Sequence, residues 1–265
     1  MEIRLDLNKT VEQNASEYFE KAKKARKKIK GAEEAIKRLK IKLAEEEKKF
    51  AQRLKEIEKR KKEAEERKEK RGKKAWYENF RWFVSSEGFL VIGGRDATTN
   101  EIIIKKYTDK NDLVFHTDMA GSPFFVVKTE GKLPGEATIS ETADATCTFS
   151  RAWKLGMSAT NVFWVRPNQV SKKTESGEYM GKGAFMIRGK ANYVPAKINL
   201  AIGITEEGKI MSGPLSAVKK SCKKFVELIQ GNEKASDIAK KIKSKIGGEI
   251  DDIIRAMPAG GAKIK

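Results

Sequence analysis

The sequence has one histidine, His116, and two cysteines, Cys147 and Cys222. A lone histidine argues against a histidine-rich metal site and against most histidine-based catalytic sets. The cysteines lie far apart without metal-ligand spacing, so two unpaired thiols in a reducing, cytoplasmic setting are the simplest reading. No apolar run approaches the ~18 residues of a membrane span. The N-terminus lacks a charged segment followed by an apolar one, so no secretory signal is expected. No G-x-x-x-x-G-K-[ST] loop and no G-x-S-x-G elbow occurs, which leaves no recognisable nucleotide-hydrolysing or serine-nucleophile site. No cofactor is predicted. Acidic residues are also scarce: 37 Asp and Glu stand against 56 Lys and Arg, for a net charge of +19. The natural partner of such a chain is a polyanion.

What is present begins with a charged arm, residues 11–74. Val11, Ala15, Tyr18, Ala22, Ala25, Ile29, Ala32, Ile36, Leu39 and Leu43 alternate spacings of four and three. That is a heptad seam, which predicts a left-handed coiled coil and offers residues 11–43 to a helix partner. Beyond Leu43 the seam thins to Phe50, Ile57 and Ala64. Residues 11–71 contain no proline and one glycine, Gly31, so one helix of about 90 Å is expected. A fold-back near residues 44–49 is the alternative. From Lys21 to Lys74, 25 Lys and Arg face 11 Glu, a balance of +14. Pairing at i,i+4 needs near-equal signs, and this arm has a surplus suited to phosphate backbones.

The rest of the chain is organised around FRWFVSSEGFLVIGGRDATTNEIIIKKY, from Phe80 to Tyr107. Trp82–Val84, Phe89–Ile92 and Ile102–Ile104 read as short strands, with a turn at residues 85–88. Gly93-Gly94 then places Arg95 and Asp96 at a strand end. DLVFHTDMAGSPFFVVK follows from Asp112, and VSKKTESGEYMGKGAFMIRGK from Val170. These three runs, in this order, resemble the NFACT-R domain of the NEMF/RqcH group of ribosome-associated quality-control factors. The resemblance implies that the arm is that group's coiled-coil middle segment. It also implies an N-terminal half ahead of the arm, which this sequence does not show, so a split member or a fragment is expected.

Elsewhere the sequence predicts strands at 112–116, 124–128, 162–165 and 199–205, with a further apolar run at 184–188. Helices are expected over Ile139–Gly156, capped by Ser140, over Ser216–Gln230, Lys234–Ile246 and Glu249–Met257. Phe80 and Phe83 read as core. Trp82, alternating with Phe83, reads as facing the other way, among aromatics interleaved with basic residues as base stacking requires. Cys147 reads as a buried small hydrophobe. The expected fold class is α+β: a long basic coiled-coil arm, then a mostly antiparallel sheet with packed helices. The divisions are 1–10, an N-terminal tail; 11–74, the arm; 75–196, the RNA-binding domain; and 197–265, an α-helical extension.

Candidate nucleic-acid contacts are Lys23, Lys24, Lys27 and Lys28 on the arm. The first motif offers Arg81, Trp82, Arg95, Asp96, Lys105 and Lys106. The second offers His116 and Asp118. The third offers Lys172, Lys173, Tyr179, Arg188 and Lys190. Trp82, Arg95 and Asp96 are expected to converge with Lys172, Lys173 and Tyr179. The family resemblance implies an RNA-binding factor without a chemical step, partnered by the large ribosomal subunit, ribosomal RNA and tRNA. Three alternatives stay open: a DNA-binding stand-alone NFACT-R protein, a coiled-coil scaffold, and an enzyme using a His116–Asp118 pair.

Overall fold

The computed structural model describes residues 3–70, 74–173 and 180–265, and for residues 59–70 the backbone alone. The chain divides into two units, Met1–Gly72 and Lys73–Lys265. In the first, Thr10 and Gln13 set the start of the helix. The Gln13 amide donates to Thr10 Oγ1 (3.2 Å), and the Thr10 amide donates to Gln13 Oε1 (3.0 Å), a reciprocal cap. Helix α1, Val11–Lys70, then runs unbroken for 60 residues, which removes the fold-back alternative. Asn14 anchors the segment before it: its Nδ2 donates to the Asp6 carbonyl and its Oδ1 accepts from the Asp6 amide. Along α1 the heptad residues Ile29, Ile36, Leu39 and Leu43 are exposed.

The second unit is built on two larger sheets and one small one, all paired antiparallel. The first sheet opens with the hairpin β1 (Arg81–Val84) and β2 (Leu90–Gly93). Helix α2 (Ala97–Lys106) follows, then β3 (Leu113–Thr117) and β4 (Phe125–Lys128). Helices α3 (Glu136–Thr148) and α4 (Arg151–Lys154) precede β5 (Ala159–Val165). The two-residue strands β6 (Val170–Ser171) and β7 (Met186–Ile187) pair with each other. After β8 (Asn192–Lys197), the six-stranded order is β1-β2-β4-β3-β5-β8. Strands β9 (Leu200–Thr205) and β10 (Ile210–Gly213) start the second sheet. Helix α5 (Leu215–Ser221), β11 (Cys222–Glu233), α6 (Ala235–Ile246), α7 (Ile250–Ala256) and β12 (Ala262–Ile264) complete the chain. The second order is β10-β9-β11-β12.

One continuous cluster of buried side chains serves both sheets. Phe83 is fully buried at their meeting line, where a β-carbon on Gly213 of β10 would lie 2.9 Å from its ring. Glu141 of α3 ties the same region: its Oε2 accepts from the Ser86 amide (2.8 Å) and its Oε1 from the Ser216 hydroxyl (2.6 Å). Cys147 and Cys222 are both buried, and burial pushes each thiol up to about 11, so neither is a thiolate at neutral pH.

Four expectations need correction. Ile102–Ile104 lies in α2, not in a strand. Asp96 accepts from the Thr99 amide (2.8 Å), and Thr99 Oγ1 accepts from the Arg95 amide (2.8 Å), so a strong cap overrides the β-propensity of three isoleucines. The helix expected at 139–156 starts earlier, at Glu136 behind Gly135, and breaks at Ser150. That hydroxyl donates to the Cys147 carbonyl (2.7 Å) and accepts from the Ala152 amide (3.1 Å), ending α3 and capping α4. Ser140 sits inside α3. Residues 216–230 are helical only to Ser221; β11 follows, with Cys222, Val226 and Leu228 inward at even spacing. The 197–265 segment is therefore half sheet, not an α-helical extension. Trp82 is buried beside Tyr77, ring centroids 4.9 Å apart. Both faces of β1 are covered, so Phe83 and Trp82 are both core.

Candidate nucleic-acid interface

Several of the candidate side chains gather at the end of β2. Gly94 leaves room there for Asn100: a β-carbon would lie 1.8 Å from Asn100 Oδ1, which accepts from the Phe124 amide (3.2 Å). This close packing turns the chain from β2 into α2 and sets Arg95 and Asp96. Arg95 Nη2 donates to the Phe80 carbonyl (2.8 Å) and the Glu78 carbonyl (3.3 Å). Arg81 Nη1 donates to the Gly94 carbonyl (2.6 Å), and its guanidinium lies 4.8 Å from the Phe149 ring centroid. The Arg81 guanidinium is pushed down to about 10, first by burial and then by the Arg95 charge. Burial likewise lowers Arg95, ahead of the Arg255 charge. Both arginines remain cations at neutral pH.

These two arginines line a cavity of about 480 Å³ together with Arg151, Lys154 and Lys182. Among the described residues, Asp96 is the one carboxylate on the wall, against five cations. It is committed to the cap of α2, and the Thr99 amide holds it below the usual carboxylate range. His116 completes one side. Its ring stacks on Phe124 at 4.1 Å, its Nε2 lies 3.3 Å from the Ser122 carbonyl, and burial lowers its pKa, which favours the neutral imidazole. Asp118 instead accepts from the Tyr193 hydroxyl (3.2 Å).

The first and third motifs meet at Glu101 on α2. Its carboxylate bonds Lys105 Nζ (2.6 Å), lies 3.3 Å from Lys172 Nζ, and accepts from the Gly183 amide (3.0 Å). Gly183 has φ +76°, and a β-carbon on it would sit 2.6 Å from the Ala97 backbone, so only glycine lets this segment ride on the start of α2. The first and third motifs thus touch through Glu101, whereas the expected grouping of Trp82, Arg95 and Asp96 with Lys172, Lys173 and Tyr179 is not seen as such among the described residues. Lys172 is occupied by Glu101 and the Gly181 carbonyl (3.0 Å). Trp82 is in the core, and Tyr179 lies outside the described residues. Lys106, Lys173, Arg188 and Lys190 are exposed and do not line this cavity, and Arg188 Nη2 donates to the Lys173 carbonyl (3.1 Å). Lys23, Lys24, Lys27 and Lys28 are exposed on α1.

Arg151, Lys154 and Lys182 are the cavity cations that sequence reasoning missed. Lys182 lies in the third motif without having been singled out; Arg151 and Lys154 stand between the motifs, and their signal was Ser150, which caps α4. Among the described residues no group of three His, Cys, Asp or Glu is placed to hold a metal ion, and no helix is long and apolar enough to cross a membrane.

Residues 79–189 match the family described as the NFACT protein RNA binding domain. That span holds every charged residue of the cavity wall. The chain is similar to the "Archaeal Rqc2 homolog aRqcH" of Methanocaldococcus jannaschii, 46% identical over 201 residues, covering 73% of this chain and 30% of the relative. It is similar to the "Ribosome quality control complex subunit NEMF homolog" of Drosophila melanogaster, 40% identical, covering 51% of this chain and 14% of that protein. It is also 41% identical to the "Ribosome quality control complex subunit NEMF" of Homo sapiens, over 48% of this chain and 12% of that one. The chain thus spans under a third of the length of each of these relatives.

Proposed function

The chain belongs to the NEMF/RqcH family, and on that premise we propose that it is an RNA-binding factor of ribosome-associated quality control. It associates with the large ribosomal subunit and tRNA in the cytoplasm, and performs no chemical step of its own. The observation that carries this reading is the RNA-binding domain match over 79–189, which encloses the cationic face. The arm adds affinity without sequence preference, because Lys and Arg along an exposed helix release counterions from any phosphate backbone. Stacking and shape recognition on a rigid scaffold add selectivity. His116 supports the non-enzymatic reading: it is stacked, its ring bonds a carbonyl, and Asp118 bonds Tyr193 instead of orienting it.

The test is crosslinking in cells followed by sequencing of the bound RNA. Large-subunit ribosomal RNA and tRNA should be enriched over the cellular pool, and folded RNA should outcompete duplex DNA in vitro. Recovery that mirrors the pool, or preference for duplex DNA, rejects the reading. A turnover abolished in His116→Gln would reject the absence of chemistry.

A further inference from the structure

The cavity at the end of β2 has a cationic wall. Among the described residues, five cations line it against one carboxylate already bonded to the α2 cap. Arg81 and Arg95 each spend Nη donors on backbone carbonyls, yet the Nε of each is buried without a hydrogen-bond partner. A buried donor left unmade is costly, and both of these guanidiniums belong to residues that line the cavity. A phosphate fits, because its oxygens take the fork of N–H groups that a guanidinium presents. Lys182 and Arg151 are exposed at the wall, where they can meet an incoming charge. The volume lies in the range of small-ligand sites, with room for a nucleotide-sized group.

We propose that this cavity seats a phosphate group of an RNA strand, with Arg81 and Arg95 at its floor and Arg151, Lys154 and Lys182 at its rim. The proposal rests on the RNA-binding reading and deepens it. The phosphate is either a terminal monoester or an internal diester, and both offer the same oxygens to the same donors.

His116 is the chain's single histidine and lines the cavity, so one imidazole resonance reports on it. The experiment titrates the full, tag-free chain, labelled at histidine, with inorganic phosphate, pApApA or ApApA. The resonance should shift saturably with inorganic phosphate and pApApA. A shift with ApApA as well assigns a diester; none assigns the terminal monoester. Arg151→Ala with Lys182→Ala, both exposed and outside the core, should weaken pApApA at least fivefold while leaving the histidine signal of the free chain in place. Arg81→Ala should abolish the shift, with the double variant as the arm that does not depend on its folding. An unmoved resonance under all three probes overturns the proposal, as does an equal shift with chloride at matched ionic strength. If the resonance stays still while long RNA binds, the RNA reading survives and the cavity assignment falls. If phosphate moves it while long RNA does not bind, the cavity is an anion site for another ligand, and the RNA reading falls together with the assignment of an RNA phosphate.

Discussion

Along α1, Lys23, Lys24, Lys27 and Lys28 stand exposed on an arm whose sequence balance is +14 from Lys21 to Lys74. At the end of β2, Arg81 and Arg95 are held by carbonyl bonds and desolvated to the point that their acidity rises. The two regions carry the same sign of charge by different means. Exposed charge is screened within about 8 Å at physiological salt and constrains a partner little. Fixed, partly buried charge is costly to build and persists only where the fold over-determines its position. Charge on the arm therefore follows from composition alone, whereas charge at the cavity follows from β2, the α2 cap and α4 being in place.

The largest way to break this comparison is to destroy one side of it. Gly93→Ala puts a β-carbon 2.3 Å from the fully buried Phe125 ring. Overpacking there should cost the globular unit about 3 kcal/mol, read as a lower urea midpoint followed by tryptophan fluorescence. All four tryptophans lie at Trp76 or beyond, so the arm is silent in that signal. A midpoint equal to wild type would show that β2 and β4 yield at no cost.

The next effect is on affinity. Changing Lys23, Lys24, Lys27 and Lys28 to Glu should weaken RNA binding by on the order of a hundredfold at physiological salt. The slope of log K against log salt should flatten by roughly 0.7–0.9 for each phosphate that is no longer neutralised. Preference for folded RNA over duplex DNA should persist. An unchanged slope would mean that the arm does not touch phosphate.

A smaller effect should show the opposite signature. Arg151→Ala with Lys182→Ala should cost about 1–2 kcal/mol in RNA affinity and reduce the preference for RNA over duplex DNA. Isotherms with both nucleic acids at matched ionic strength check this. If the preference is intact here but absent in the arm variant, selectivity sits on α1 and the contrast between the regions is reversed. Arg95 and Lys172 are poorer choices, because each holds a structural partner: the Phe80 carbonyl and Glu101.

Local signals made the arm and most strands legible in the sequence. A heptad pattern without proline gives a helix, and strand residues such as Val114, Phe115 and Thr117 are β-branched or aromatic. The failures share a cause. Ile102–Ile104 looked like a strand because the Asp96–Thr99 cap, just ahead of it, was not weighed against the isoleucines. Residues 222–230 looked helical because Lys223, Lys224 and Glu227 suit a solvated helix face. The β9 partner decides otherwise: a β-carbon at Gly203 would lie 2.8 Å from Cys222 Sγ, so the bare glycine admits the neighbouring strand. Trp82 misled because alternation implies one open face only when a strand has one covered face, and β1 is covered on both. The cavity was half legible. Arg81 and Arg95 fall in a motif; Arg151 and Lys154 reach it through tertiary packing that no local pattern records.

The smallest expected effect concerns how the third motif is kept on α2. Glu101 holds Lys105, the Gly183 amide and Lys172, and these bonds, Lys105 first, draw its carboxyl down from 4.5 to about 2. A carboxyl lowered in the folded state stabilises above its unfolded pKa, and that contribution disappears as pH falls through the folded one. The Glu101 contribution should therefore be complete above pH 4.5 and fade towards about 2. Glu101→Gln keeps an oxygen for the Gly183 amide but gives up the charge that Lys105 and Lys172 meet. Its urea midpoint should lie slightly below wild type at neutral pH, and the gap should close as pH falls through that window. Added salt should narrow the gap at neutral pH, since both ion pairs are partly exposed. A gap that stays constant from neutral pH through the window would mean that packing of Gly183 against Ala97, and not the Glu101 charge, keeps the two motifs together. The cavity rim at Lys182 would then be positioned by shape alone, and its charge would be free to respond to a ligand without disturbing α2.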